Sequence, residues 1–225
     1  MNARTRPRPS EREVEIPSSD VTIKGILANP PGAKGIILFA HGSGSGRFSP
    51  RNSYVARVLQ DAGFATLLMD LLTEEESEDR QKVFDIGLLT ARLLDTARWV
   101  KQQSETTALA IGYFGASTGA AAALQAAAQE KPLANAVVSR GGRPDLAMDY
   151  VPQVEAPTLL IVGGYDEPVI QMNRLAYAAL RSEKQFVTIP QATHLFEEAG
   201  ALEKVAQLAR NWFEQYLAPA KRMAA

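Results

Sequence analysis

Two hydrophobic patterns divide the chain. From Glu11 to Ala28, apolar and polar residues alternate on both sides of a Pro-Ser-Ser-Asp turn, which predicts an antiparallel hairpin of two half-buried strands. After a Pro/Gly loop at 29–33, short continuous apolar runs alternate with stretches of helical spacing. Such runs are typical of buried parallel strands linked by right-handed crossovers. The apolar runs lie at 35–40, 64–69, 108–114, 134–139, 158–162 and 185–189, and the helical stretches lie near 50–62, 82–103, 117–130, 168–181 and 198–217.

This pattern predicts a single α/β domain with six parallel strands in a twisted sheet and helices on both faces. We place the domain at 13–218, after a disordered arm at 1–12 and before a short tail at 219–225. A chain of 225 residues, 46% hydrophobic, is long enough to bury one full core. The acidic stretch 74–79 follows the second parallel strand, and we interpret it as a solvated loop and helix start, where the helix dipole favours carboxylates.

Composition narrows the possible partners. Lys and Arg number 24 against 25 Asp and Glu, with no basic stripe to bind nucleic-acid phosphates, so we expect no nucleic-acid partner. The chain has no cysteine and only two histidines, which excludes disulfides and argues against a metal site. We expect no cofactor. No apolar run approaches the roughly 18 residues of a membrane span, and the Arg-rich start lacks the apolar segment of a signal peptide, so we expect a cytoplasmic protein with a small-molecule substrate.

A candidate nucleophile lies at the end of the third parallel strand. There the apolar run is followed by Gly115-Ala-Ser117-Thr-Gly119 and then by an Ala-rich helical stretch. A nucleophilic serine in this context sits on a strained turn, and glycines on either side let strand and helix approach closely.

A serine hydroxyl needs a neutral imidazole to accept its proton and a carboxylate to orient that imidazole. Asp166 follows the apolar run at 158–162, and His194 follows the last strand, so both lie at the carboxyl edge of the sheet, where open α/β sheets place their sites. Asp145, after the preceding strand, is the alternative acid, and we prefer Asp166 for its strand-to-turn position. We expect the other histidine, His41, to brace its loop.

The loop His41-Gly-Ser43-Gly-Ser-Gly46 follows the first parallel strand. Its position predicts a backbone donor for an oxyanion hole, and we assign the two donors to the amides of Ser43 and Thr118. A flexible Gly/Ser turn without this role is the simpler alternative.

Together, HGSGSG at 41–46, GASTG at 115–119, GGYDEPV at 163–169 and QATHLF at 191–196 resemble the α/β-hydrolase superfamily and, within it, the dienelactone-hydrolase-like group. The resemblance covers roughly 20–217 and implies that Ser117, Asp166 and His194 act as nucleophile, acid and base. It also implies a site with no large lid, open to small soluble esters, because a short segment separates the strands at 134–139 and 158–162. Dienelactone hydrolases proper have cysteine at the nucleophile position, so Ser117 argues against dienelactone turnover and indicates a serine esterase.

The loop Arg140-Gly-Gly-Arg143 follows the fourth parallel strand and should reach the same sheet edge as Ser117. Either arginine could hold a carboxylate through two hydrogen bonds, which predicts a preference for anionic acyl substrates. The alternative is an ordinary ion pair with an acid such as Asp145 or Asp166.

Three other functions remain open. The Gly-rich loop 42–46, the following helix and a strand ending at Asp70 imitate a dinucleotide-binding start, but Arg47 stands where its third glycine would be. A non-catalytic binding module could use the same fold with a misaligned triad. A transferase or perhydrolase would differ only in the nucleophile that resolves the acyl-enzyme.

Overall fold

The computed structural model describes residues 11–217, which form one eight-stranded sheet. The spatial order is β1-β2-β4-β3-β5-β6-β7-β8; β1 and β2 form an antiparallel hairpin, β2 runs antiparallel to β4, and the remaining neighbours are parallel. This confirms the predicted hairpin and parallel sheet. The strands are β1 Glu11–Ser18, β2 Val21–Ala28, β3 Ile36–Ala40, β4 Ala65–Met69, β5 Ile111–Ala116, β6 Ala134–Arg140, β7 Thr158–Gly163 and β8 Lys184–Ile189.

Helices cover both faces of the sheet. A hydrophobic cluster on one face contains buried residues of α4 and α5, and a second cluster on the other face contains those of α1 and α7. The aromatic stripe of α7, including Trp212 and Phe213, is core packing. The helices are α1 Pro50–Asp61, α2 Glu74–Glu78, α3 Arg80–Val83, α4 Ile86–Gln102, α5 Thr118–Gln129, α6 Glu167–Ala179 and α7 Ala201–Tyr216.

The third parallel strand begins and ends later in the chain than its apolar run suggests. Residues before Ile111 form a turn in which Thr106 Oγ1 donates to the carbonyl of Val100 at 2.7 Å and Lys101 Nζ donates to that of Leu109 at 2.7 Å. At the other end, pairing with β6 extends β5 to Ala116. The strand therefore leads directly into Ser117.

The acidic stretch 74–79 forms the predicted helix start and is exposed as expected, except at Glu76. It contains α2, which begins with a capping box formed by Thr73 and Glu76. Glu76 is buried and pairs with the buried Arg92 of α4 at 3.2 Å. The expectation was wrong for Glu76 because a cation distant in sequence pairs with it.

The segment between β6 and β7 contains two short 3-10 turns, Pro144–Ala147 and Val151–Gln153, and no large lid. At the amino end, β1 begins at Glu11, so the predicted arm 1–12 extends two residues too far. The remainder of that arm and the tail 219–225 lie outside the described residues. Within residues 11–217, no helix has the length and apolar character needed to cross a bilayer.

Candidate active site

Ser117 forms the turn between β5 and α5. Its backbone has φ 51° and ψ −120°, which is a strained conformation for a residue with a side chain. The turn is tight, because a Cβ on Gly119 would lie 2.2 Å from the carbonyl oxygen of Ala40. The half-buried Ser117 side chain does not cap α5. Its hydroxyl lies at the carboxyl edge of the sheet and is not bound by the first amides of the helix.

Asp166 and His194 form a direct contact at the same edge. The Nδ1 atom of His194 lies 2.6 Å from Oδ2 of Asp166, within hydrogen-bonding distance. The Asp166 side chain is 13% exposed and that of His194 is 39% exposed, so the carboxylate is sheltered while the imidazole reaches solvent. With Nδ1 bound to the carboxylate, Nε2 is the nitrogen left to accept a proton.

Ser117 and His194 flank one peptide segment of β6 and its following loop. The Ser117 amide donates to the carbonyl of Arg140 at 3.3 Å, and a Cβ on the next residue, Gly141, would lie 3.5 Å from Cε1 of His194. The structure thus brings serine and histidine to the same place, although no hydrogen bond joins Ser117 Oγ to the imidazole. Catalytic hydrogen bonds of this kind are often long without substrate and tighten when it binds.

The predicted oxyanion donors lie beside Ser117. A Cβ on Gly42 would stand 2.9 Å from Cβ of Ser117, so the loop after β3 packs directly on Ser117. The Thr118 amide is in the first turn of α5, where N–H groups have no acceptor inside the helix. Within residues 11–217, neither this amide nor that of Ser43 donates to a protein acceptor. Both amides are available to a ligand oxygen.

His41 is bound by the backbone on both sides of its ring. The Leu71 amide donates to Nε2 at 3.0 Å, and Nδ1 lies 2.8 Å from the carbonyl of Gly42. Because an amide can only donate, Nε2 must be the acceptor and Nδ1 must hold the proton. Burial lowers the pKa of His41, outweighing the opposing effects of the Gly42 carbonyl and Asp70. His41 is therefore a neutral brace between this loop and the end of β4.

A clamp that the sequence analysis missed holds the same loop. Asp70, just beyond β4, accepts a hydrogen bond from the Arg47 amide at 2.7 Å and pairs with the Arg47 guanidinium. The position of Asp70 in the sequence was a signal for this contact. Asp70 follows β4, which is adjacent to β3, and so lies beside the loop that leaves β3. This pairing engages the carboxylate that a dinucleotide-binding protein would offer to a ribose.

The two arginines predicted to bind substrate have different surroundings. Arg143 pairs with Asp145 through Nε at 2.8 Å and Nη2 at 2.7 Å, the ordinary ion pair given above as the alternative. Arg140 is 8% exposed, and its Nε and Nη1 are buried without a protein acceptor among residues 11–217. Its guanidinium lies 5.9 Å from the ring centre of Phe196, two residues beyond His194. Burial, reinforced by the charge of Arg51, lowers the pKa of Arg140 to about 10.

A second positioning residue missed by the sequence analysis is Asn173 in α6. Its side-chain amide donates to the carbonyl of Gly142 at 2.9 Å and to that of Val169 at 2.8 Å. Asn173 is fully buried; its bond to Gly142 fixes the loop after β6 against α6, and its bond to Val169 lies within the helix. Nothing in the helical spacing of α6 distinguishes this residue from a core position.

A cavity of about 870 Å³ opens beside the oxyanion donors. We call it the side cavity. It lies between the loop after β3, the start of β2 and the start of α2, and Ser43 and Thr118 form part of its wall. Ser117 and His194 do not line it. The side cavity therefore borders the candidate site at Ser43 and Thr118 and not at His194.

The fold and this arrangement define an α/β-hydrolase. The profile of the dienelactone hydrolase family matches residues 23–218, and the chain belongs to that family. A crystal structure of dienelactone hydrolase from Anabaena variabilis is 58% identical and superposes with a TM-score of 0.91, covering 94% of this chain and 100% of that one.

Two other similar proteins are either much longer than this chain or similar to it in fold alone. A Mycobacterium tuberculosis protein named "Putative phosphoribosyl transferase" is 53% identical over 217 residues, covering 96% of this chain and 49% of that protein. The chain thus spans about half the length of this relative. Est1E from Butyrivibrio proteoclasticus has a TM-score of 0.78 at 16% identity, covering 90% of this chain and 98% of that one, and shares the fold alone.

Proposed function

We propose that the chain is a serine hydrolase that cleaves small carboxylic esters through an acyl-enzyme on Ser117. The observation that best supports this is the 2.6 Å contact between His194 Nδ1 and Asp166 Oδ2 beside the strained Ser117 turn. Membership of the dienelactone hydrolase family supports hydrolysis as the class of reaction.

The residues have complementary roles in the proposed reaction. Ser117 Oγ attacks the ester carbonyl carbon while His194 Nε2 takes the hydroxyl proton, and Asp166 stabilises the resulting imidazolium. The negative oxygen of the tetrahedral intermediate accepts hydrogen bonds from the amides of Ser43 and Thr118. When the intermediate collapses, His194 returns the proton to the departing alcohol. Water then attacks the acyl-enzyme by the same steps in reverse, releasing a carboxylic acid and free Ser117.

The absence of a large lid between β6 and β7 favours small, water-soluble substrates. The 3-10 turns between β6 and β7 stand where a lid would otherwise cover the serine. A lid shields a large apolar substrate from water, and the segment between β6 and β7 forms no large lid. Short, water-soluble esters fit this arrangement best.

Of the two arginines, Arg140 is the better candidate for binding a substrate carboxylate. Its buried Nε and Nη1 have no protein acceptor among the described residues, whereas two nitrogens of Arg143 already bind Asp145. A buried guanidinium without a partner is costly, and an anionic group on the substrate would satisfy it. We therefore keep Arg140 as a substrate-binding residue and assign Arg143 to the loop structure.

The transferase name of the mycobacterial relative is not extended to this chain. The relative is about twice as long as the segment matched, and the matched segment here coincides with the dienelactone hydrolase region. The dinucleotide-binding alternative also loses support, because Asp70 is engaged by Arg47.

The test is an activity screen with p-nitrophenyl and alkyl esters, thioesters, lactones and amides of short acids, on the wild-type chain and on Ser117→Ala. We expect ester hydrolysis by the wild type and a loss of several orders of magnitude in the variant. Ser104→Ala, in the exposed turn after α4, is the matched control and should retain activity. Undiminished hydrolysis by pure, folded Ser117→Ala would contradict the mechanism. Retention of a ligand without turnover would favour a binding module instead.

A further inference from the structure

The side cavity is of the right size to hold one arm of the substrate. Its volume of about 870 Å³ falls in the range of small-molecule sites in proteins. Since Ser43 and Thr118 belong to its wall, a carbonyl oxygen bound to their amides must place one of its neighbouring groups at the mouth of the cavity. This step rests on the proposed function.

That arm is the acyl group. The leaving alcohol must receive a proton from His194, so its oxygen has to face the imidazole. His194 does not line the side cavity, which leaves the acyl side as the part that enters. The Arg140 guanidinium lies against Phe196 in the His194 loop, so a carboxylate bound there belongs to the alcohol arm, contrary to the anionic acyl group expected from the sequence.

Thr118 presents a second polar group at the mouth of the cavity. Its Oγ1 is buried and has no hydrogen-bond partner among residues 11–217, and the residue is 2% exposed. Threonines in helices are found in either of two side-chain rotamers, so a bound acyl group with an acceptor oxygen would favour the rotamer whose hydroxyl reaches it. Because Oγ1 is only three bonds from the amide nitrogen that would bind the oxyanion, it reaches atoms on the acyl carbon next to the carbonyl.

The charges around the cavity disfavour an anionic acyl arm. Arg47 and Asp70 neutralise each other, and the remaining charged lining residues are Lys24, Glu74 and Glu75. Two carboxylates against one ammonium leave an excess of negative charge. A neutral polar arm is compatible with this wall, whereas a carboxylate would be repelled.

We infer that the side cavity is the acyl subsite and that the Thr118 hydroxyl selects acyl groups with an uncharged oxygen on the carbon adjacent to the carbonyl. A hydroxyl or ether oxygen at that position accepts a hydrogen bond from Oγ1, which otherwise remains buried and unpaired. Thr118 thereby acts twice, through its amide on the oxyanion and through its side chain on the acyl group.

The experiment compares kcat/KM for p-nitrophenyl methoxyacetate and p-nitrophenyl butyrate, which differ by an oxygen in place of a methylene. Each is measured on the wild type, Thr118→Val, which removes the hydroxyl at constant shape, and Thr118→Ser, which retains it. The ratio of variant to wild type for each ester cancels the intrinsic reactivity of the substrate. Any effect of the substitution on the amide acts on both esters and also cancels.

We expect Thr118→Val to reduce kcat/KM about tenfold more for methoxyacetate than for butyrate, and Thr118→Ser to restore most of the difference. Thr90→Val is the matched control, since Thr90 Oγ1 is also buried without a partner among the described residues but does not line the cavity. It should change both esters equally. Equal losses on the two esters in Thr118→Val would overturn the inference while leaving the proposed hydrolysis intact. Absence of hydrolysis of either ester by the wild type would contradict the proposed function itself.

Discussion

The loop after β3 and the loop after β8 each contain one of the two histidines of the chain, at the same edge of the sheet. Both ring nitrogens of His41 are hydrogen-bonded to backbone groups. In His194 a carboxylate binds Nδ1, and Nε2 has no hydrogen-bond partner among residues 11–217. The difference shows that the bonds made by an imidazole, rather than its position at a strand end, determine whether it can transfer a proton.

The surroundings of the two rings reinforce this distinction. Burial lowers the pKa of His41, so the ring stays neutral and holds its tautomer. The Arg47–Asp70 pair fixes the same loop from the other side. A loop held in this way keeps its amides in place before the substrate arrives, which is what an oxyanion hole requires. The His194 ring is more exposed, and in the proposed reaction its proton exchanges with the substrate and Ser117.

Replacing each histidine with alanine gives the largest expected effect and tests the comparison directly. His194→Ala should lower kcat by about 10⁴–10⁶-fold, because the base is lost. His41→Ala should lower the melting temperature and reduce kcat less, by at most the value of one oxyanion donor, about 10²–10³-fold. Both variants are assayed well below their melting temperatures, with circular dichroism as the check on folding. A folded His41→Ala with the greater loss of kcat would mean that the two roles are exchanged.

Replacement of the two candidate acids, Asp166 and Asp145, gives the next largest expected effect on kcat. Asp166→Asn should reduce kcat by about 10³–10⁴-fold, since an amide no longer stabilises the imidazolium or selects its tautomer. Asp145→Asn removes a carboxylate that binds Arg143 and should leave kcat within a few fold of wild type. Steady-state kinetics on one neutral ester distinguishes them. The assignment of Asp166 is wrong if the Asp145 variant loses more activity.

The sequence predicts the fold and the candidate triad better than it predicts the pairing of charges. Apolar runs locate the strands because burial on both faces requires them, and strand ends locate Ser117, Asp166 and His194. The burial of Glu76 and the clamp on Asp70 escaped prediction. Each depends on an arginine, Arg92 or Arg47, that only the tertiary fold brings within reach, and hydrophobic periodicity contains no record of such contacts.

Replacement of Arg140 should have a smaller effect, which is limited to the binding of substrates with a carboxylate. In the proposed site, Arg140→Ala should raise KM about tenfold or more for esters with a free carboxylate on the alcohol arm, and change KM for neutral esters little, because a charge-assisted hydrogen bond is lost. Arg143→Ala is the control and should affect both substrates equally. A uniform loss in Arg140→Ala, with a lower melting temperature, would assign this guanidinium to structure alone.

The smallest expected effect is a pH dependence of stability contributed by His41. The pKa of His41 is lowered from its ordinary 6.5 in the folded state, so between these two values the unfolded chain binds the proton and the folded chain does not. Its stabilising contribution is therefore complete above pH 6.5 and declines as the pH falls toward the lowered value. Urea unfolding at pH 7 and pH 5 should show a greater loss for wild type than for His41→Asn. Equal losses would show that His41 is not held neutral.

The most direct test of the central claim is covalent labelling with a fluorophosphonate followed by peptide mass spectrometry. A serine reacts with this reagent only when a base activates it and an oxyanion hole stabilises the adduct. We predict a single labelled serine, Ser117, in the wild type and in His41→Asn, and no labelling in His194→Ala. Modification of Ser43 or Ser45 instead, or an unlabelled Ser117 in the folded wild-type protein, would contradict the account.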